Sequence, residues 1–153
     1  MLETPRDLAI DQCYCTSLRK ASRRISQYYD GILTPIGLRA TQYAILATLN
    51  QSPNIAINEL AVRLDLDRTT TGKNLRPLQR EGLIDVVQSE SDGRSRTVSM
   101  TSEGAARFRD ATPLWRLAQK RFEEQNASAV GSLRATLSGL RVPGVDYSSL
   151  HNG

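Results

Sequence analysis

With 153 residues, 39% of them hydrophobic and 24% charged, the chain has the length of one globular domain, or of two small subdomains sharing a core. No apolar run approaches the roughly 18 residues of a membrane span, and the opening MLETPRDLAIDQ is broken by charge every few residues, so no signal-peptide core is expected and the cytoplasm is the expected compartment. The net charge of +4 suits a polyanionic partner, while two cysteines, Cys13 and Cys15, are too few for a disulfide scaffold and lack the spacing of a zinc site.

From about Leu8 to Leu33 the pattern is helical: Cys15, Leu18, Ser22, Ile25, Tyr29 and Ile32 recur on one face at three- and four-residue steps. Arg19, Lys20, Arg23 and Arg24 add a basic cluster, and Pro35 and Gly37 end the helix. A second helix is predicted over about Ala40–Asn50, with Tyr43, Ile45, Leu46 and Leu49 as its apolar residues. After the loop NQSPN, Asn58 is placed to cap a short third helix that turns Leu60, Ala61 and Leu64 inward. LDLD reads as a tight turn, and Asp67 caps a fourth helix to about Arg80, which Gly82 stops after Glu81. Branched residues in Ile84–Gln88 and Arg96–Met100 flank the polar tip Ser89–Ser95, the pattern of a hairpin. Thr101 caps a long fifth helix carrying Ala105, Phe108, Trp115, Ala118 and Phe122 along one side, with a kink expected at Pro113. A final helix, about Ala127–Leu140, repeats apolar residues at Val130, Leu133, Leu137 and Leu140. Residues 146–153 are expected to form a flexible tail in which the lone histidine, His151, is solvated.

Three short helices followed by a two-stranded hairpin make a winged helix-turn-helix, so the expected fold is mainly α with a small β-hairpin wing. The winged unit spans 37–101. The remaining helices, in 1–36 and 102–145, carry apolar faces that so small a core cannot bury. Pairing with a second copy is the economical solution, and the resulting homodimer sets two DNA-reading units on one two-fold axis.

The fourth helix concentrates the chemistry. Arg68, Thr69, Thr70, Thr71, Lys73 and Asn74 crowd its first two turns, Arg76 and Arg80 follow, and no acid lies among them. A helix in the major groove presents its N-terminal residues to base edges, where Arg favours guanine and Asn favours adenine. Threonines are mediocre helix formers in a stretch that also holds Gly72 and Pro77, a local cost that suits residues present for contact. On the hairpin tip, Arg94 is placed to reach an adjacent minor groove, whose negative potential attracts arginine, and Arg96 follows it. Asp92 is expected to pair with Arg94 or Arg96, and Gly93 to take a positive φ.

The run DGRSRTVSMTSEG resembles the wing and following helix start of the MarR family of winged-helix regulators, which reads D-x-R, a strand, then L-T-x-x-G. Asp92, Arg94, Met100, Thr101 and Gly104 fall on those positions, Met100 replacing the usual leucine. LRATQYAILATL, INELAVRLDLDRTTTGKNLRPLQREGLI and the long first helix are also similar, so the resemblance covers about residues 8–140. It implies a roughly triangular homodimer joined through its first, fifth and sixth helices and bound to a pseudo-palindromic double-stranded operator. Such proteins are usually repressors released by a small ligand or an oxidant.

Two signals stay open. Cys13 and Cys15 are two apart on the predicted helix and leave it on nearly opposite sides. Cys15 belongs to the apolar face, and Cys13 to the face of Ser17, Lys20 and Arg24, whose cations favour a thiolate. CTSLRKASRRISQYY resembles the organic-hydroperoxide-sensing branch of the family, which sets a first-helix cysteine eight residues before an arginine and fourteen before a tyrosine; Cys15, Arg23 and Tyr29 keep those intervals, while Thr16 and Ala40 depart from the pattern. Fourteen helical residues span about 21 Å, so Tyr29 would meet Cys15 only across a dimer. The other signal is a small effector, an aromatic or phenolic acid in the usual family case, in a pocket near Tyr14, Leu18, Arg19 and Tyr43.

No enzyme is expected. The chain offers no nucleophile–base pair, no metal set, no cofactor motif and no phosphate loop; a thiol peroxidase built on Cys13 or Cys15 is the best candidate of that class. A winged helix used only as a protein-interaction scaffold would have no need of the basic fourth helix.

Overall fold

The structure, a computed structural model, describes residues 9–147. Six helices and a three-stranded sheet follow in the order α1 (Tyr14–Leu33), α2 (Ala40–Gln51), β1 (Ile55–Ala56), α3 (Ile57–Arg63), α4 (Arg68–Arg80), β2 (Ile84–Gln88), β3 (Arg96–Met100), α5 (Ser102–Gln125) and α6 (Val130–Gly139). His151 and most of the expected tail lie outside the described residues. Among the described residues no helix is long and apolar enough to cross a membrane.

The first helix starts later than its periodicity suggests. A 3-10 turn, Ile10–Gln12, ends where the Cys13 amide donates to the Ile10 carbonyl, and Cys13 itself is extended (ψ 118°) as the N-cap of α1. The two cysteines therefore do not share a helix. Only the far end of α1 enters the core, through Leu33; at its start Tyr14 is 86% exposed. Gly37, with φ +70°, turns the chain after Pro35, and the Asp30 carboxylate accepts the Ala40 amide at 2.7 Å, which pins α2 to the end of α1.

Tyr43, Ile45, Leu46 and Leu49 of α2 are buried, so this helix is the central core element. Strand β1 was not visible in the sequence: two residues carry no alternation. It pairs antiparallel with β3, Ile55 opposite Val98, and makes the sheet order β1-β3-β2. Because β1 runs straight into α3, Ala56 occupies the N-cap and Asn58 lies inside the helix with its side chain exposed, not at the cap. The hairpin strands have the predicted bounds and pair in register from Ile84–Met100 to Gln88–Arg96.

Asp67 and Thr101 cap α4 and α5 as read: each side chain accepts the backbone N–H three residues on. Helix α5 continues through Pro113. Helix α6 begins only at Val130, after a turn in which the Asn126 side chain donates to the Phe122 carbonyl. The fully buried leucines 33, 46, 49, 60, 78 and 83, with Ile45, Ile84 and Val98, form one core. Each such side chain contributes roughly 1.5–3 kcal/mol by leaving water. Tyr43 extends that core, stacking on Phe108 and Trp115 of α5 with ring centroids 5.2 and 5.6 Å away.

Candidate nucleic-acid interface

Helices α3 and α4 meet through the tight turn at Asp65, which holds φ +50°. Asp67 then fixes the start of α4. Its carboxylate accepts the Thr70 amide at 2.8 Å and the Thr70 hydroxyl at 2.7 Å, and those two donors hold its pKa below the ordinary carboxylate value. Arg68, Thr69, Lys73 and Arg76 stand exposed on the resulting face, with Thr70 and Asn74 half-buried beside them.

Thr71 is the exception. It is fully buried, and its hydroxyl donates to the Asp67 carbonyl at 2.8 Å. The sequence reading placed it among the contact residues, but it lies four residues before Leu75 and seven before Leu78, on the inward side of α4. It packs the helix and does not face outward.

The wing tip is built from local hydrogen bonds. The Ser89 amide donates to the Ser95 carbonyl (2.7 Å), the Ser95 amide to the Asp92 carbonyl (2.9 Å) and the Arg94 amide to the Asp92 carboxylate (3.1 Å). Gln88 donates its side-chain amide to the Gly93 carbonyl. Asp92 thus shapes the tip through the Arg94 backbone, and it forms no ion pair with Arg94 or Arg96 as the sequence reading expected. Gly93 is likewise not in the left-handed region. A carboxylate that accepts a backbone amide two residues on closes this turn without a positive φ.

A groove of about 720 Å³ lies between wing and helices, lined by Arg68 and Gly72 of α4, Asn58 of α3, and Arg94 and Arg96 of the wing. Lys73, Arg76 and Arg80 line a second concavity along α4. Among the described residues none of these six cations is ion-paired, so their charge is free for an external anion. Asn58 and Gln88 are groove residues that the sequence reading missed; Asn58 had been assigned to a cap.

A separate cavity of about 500 Å³ opens between α1, α2 and α5, walled by Tyr29, Tyr43 and Trp115 with Ile25, Gln51 and Gln119. Of the four pocket residues expected from sequence only Tyr43 is there. Tyr14, Leu18 and Arg19 sit on the exposed early turns of α1, outside its lining. Tyr29, expected as a partner of Cys15, donates its hydroxyl to Gln119 of its own chain, and burial pushes its pKa up. Cys15 is exposed and Cys13 half-buried. The Thr16 amide and hydroxyl beside Cys13 hold its thiol below the usual value, so the cause is a helix start and not the Lys20 and Arg24 cations. Among the described residues no group of three or more His, Cys, Asp or Glu side chains is placed to hold a metal ion.

The sequence profile of the MarR family matches residues 38–95, from the turn before α2 to the wing. The transcriptional regulator MosR of M. tuberculosis is 33% identical, its match covering 85% of this chain and 96% of MosR with a TM-score of 0.71. The chain belongs to the MarR family. MosR solved in complex with DNA is similar to the same degree: 32% identity, a TM-score of 0.69, and coverage of 84% of this chain and 100% of that one. The organic hydroperoxide resistance transcriptional regulator of Bacillus subtilis is 28% identical over 98 residues, 64% of this chain and 67% of the relative. As a MarR-family winged helix, this chain is a DNA-binding transcriptional regulator.

Proposed function

We propose that the chain is a homodimeric, sequence-specific repressor that occupies a pseudo-palindromic operator and leaves it when a small effector binds. The observation that carries this reading is the shared groove of Arg68, Arg94 and Arg96, unpaired cations from two elements that face one polyanion. In this reading Arg68, Thr69, Thr70, Lys73 and Asn74 meet base edges and nearby phosphates in the major groove, Arg76 meets the backbone, and Arg94 and Arg96 take the adjacent minor groove. Dimerisation is assigned to 1–36 and 102–145 and DNA reading to 37–101. Exposed Tyr14 and Leu18 on α1, Leu137 on α6 and Leu140 and Val142 just after it support that assignment, since a second copy would cover an apolar surface that water leaves unfavourable. The effector site is the aromatic-walled cavity between α1, α2 and α5, at the junction of the two regions. The reading assigns no catalytic residue.

The test is a fluorescence-anisotropy titration against the intergenic DNA beside the chain's own gene, over a salt series, with random duplex as control. Tight, selective binding with a steep salt slope is expected. Equal affinity for random duplex would sink the operator reading.

A second reading is favoured by the Cys13 thiol, which the Thr16 donors bias toward thiolate at the start of α1. The relative from Bacillus subtilis is named for organic hydroperoxide resistance. Here a thiolate attacks the peroxide, an S–O bond forms as the O–O bond breaks, and the alkoxide leaves with a proton as alcohol. Cys13 takes that role in preference to Cys15. Loss of operator binding on treatment with organic hydroperoxide, retained in Cys13→Ser, separates the redox switch from the ligand switch.

A further inference from the structure

Arg107 carries no signal in the sequence, yet its guanidinium joins three segments of the fold. Nη1 donates to the Ile36 carbonyl at 3.3 Å, in the turn between α1 and α2, and lies 3.6 Å from a carboxylate oxygen of Glu81, the C-cap of α4. Nη2 lies 3.6 Å from Glu103, one turn back on α5. The fit is close: a β-carbon on Gly37, which holds φ +70°, would sit 3.4 Å from Nη1. The Arg107–Glu81 pair joins the helical region 102–145 to the winged unit 37–101. Lys20–Asp11, Arg63–Glu59, Lys120–Glu124 and Arg134–Glu123 each stay within one region.

Ion pairs to carboxylates this exposed contribute little to stability, because water screens them and ordering two side chains costs entropy. What they supply is direction. A planar guanidinium presents five N–H donors in a fixed fork and holds several acceptors at set angles, which an ammonium does not. The apolar contact of α2 with α5, through Tyr43, Phe108 and Trp115, is larger but non-directional. We propose that Arg107 is a positioning residue for DNA recognition: it sets the orientation of the winged unit on the dimerisation helices, and thereby the half-site spacing that the dimer accepts. This rests on the homodimeric operator reading. In a two-fold dimer a small rotation at the start of each α5 acts on both winged units, so it shifts the two α4 helices relative to one another. DNA is unforgiving of such a shift, since each added base pair moves a half-site about 3.4 Å and turns it about 35° around the duplex.

The test uses the full-length protein and duplexes carrying the two halves of the operator footprinted beside the chain's own gene. These stand at the native spacing, or with one base pair added or removed, and a single half-site completes the set. Anisotropy at one fixed salt concentration reads the affinities. Wild type is expected to prefer its native spacing by at least about tenfold. Arg107→Met keeps an apolar stem and removes the fork, so the preference is expected to shrink to within about threefold, with half-site affinity unchanged. Glu81→Gln severs only the arm to α4, at an exposed side chain that folding does not depend on, and is expected to flatten the profile in the same way. A Glu81→Gln profile identical to wild type, or an equal loss of affinity on every duplex including the half-site, overturns the proposal. A wild type indifferent to spacing overturns the dimer reading beneath it, and the proposal falls with that reading.

Discussion

The backbone carbonyl of Leu83 lies 2.0 Å from where a β-carbon on Gly104 would sit. The first turn of α5 is pressed onto the turn that joins α4 to β2, and two hydrogen bonds hold it there while a third caps the helix. Thr101 donates its amide to Leu83 (3.1 Å) and its hydroxyl to the Gly82 carbonyl (2.6 Å), and its oxygen accepts the Gly104 amide (3.0 Å). We predict that Gly104→Ala costs about 2–3 kcal/mol, because the obstruction is backbone and cannot rotate away. Urea unfolding measures it. Gly31→Ala is the control: its β-carbon would meet nothing within 4 Å, so it should be neutral or gain up to about 1 kcal/mol in helix propensity. A Gly104→Ala protein as stable as wild type would mean that α5 slides freely along the wing base.

Asp67 gives a pH-dependent prediction. Its pKa is lowered in the folded state by the Thr70 amide and hydroxyl. A carboxylate of this kind contributes stability above its unfolded pKa and loses it as pH falls through the folded one. Asp67→Ala should therefore lower the melting temperature at neutral pH. The gap to wild type should narrow below about pH 4 and close in stronger acid. Asp67→Asn keeps an acceptor for the Thr70 amide and should melt between the two, with less dependence on pH. Parallel melting curves for wild type and Asp67→Ala across that range would show that the cap carries no charge-dependent stability.

The interface makes separable predictions for its arginines and threonines. Arg94→Ala should weaken operator binding for all sequences and reduce the salt slope by about one. Arg68→Ala and Asn74→Ala should change base preference at single positions, read by anisotropy on a panel of one-base operator variants. Thr71→Val should do neither: it keeps the buried shape and loses only the bond to the Asp67 carbonyl, so its effect is on stability, roughly 1 kcal/mol. A base-preference change in Thr71→Val would contradict its burial.

These cases show what a sequence gives away. Asp67, Thr101 and the Ser–Asp–Gly tip are local signals whose chemistry acts within three residues, and the bounds of α4 and the hairpin strands followed from them. Thr71 was legible too: its four- and seven-residue spacing to Leu75 and Leu78 marks it as inward, but its likeness to Thr69 and Thr70 masked that phase. Strand β1 is two residues long and carries no period, and the break at Cys13 has neither proline nor glycine to announce it. The aromatic-lined cavity was out of reach for another reason. Tyr29, Tyr43 and Trp115 come from three helices, and only packing brings them to one wall.

Cys13 gives the last prediction. Its thiol is lowered first by the Thr16 backbone amide and then by the Thr16 hydroxyl, so part of the shift belongs to one removable group. In a Cys15→Ser background, the pH profile of alkylation by iodoacetamide should have its midpoint below that of an ordinary cysteine peptide. Adding Thr16→Val should move the midpoint upward but not fully to the peptide value, because the amide donor stays. Hydroperoxide sensitivity of DNA binding should fall with it, since the thiolate is the nucleophile. If Thr16→Val leaves the midpoint unchanged, the hydroxyl plays no part. If the midpoint shifts and peroxide sensitivity does not, Cys13 titrates as described but is not the sensor.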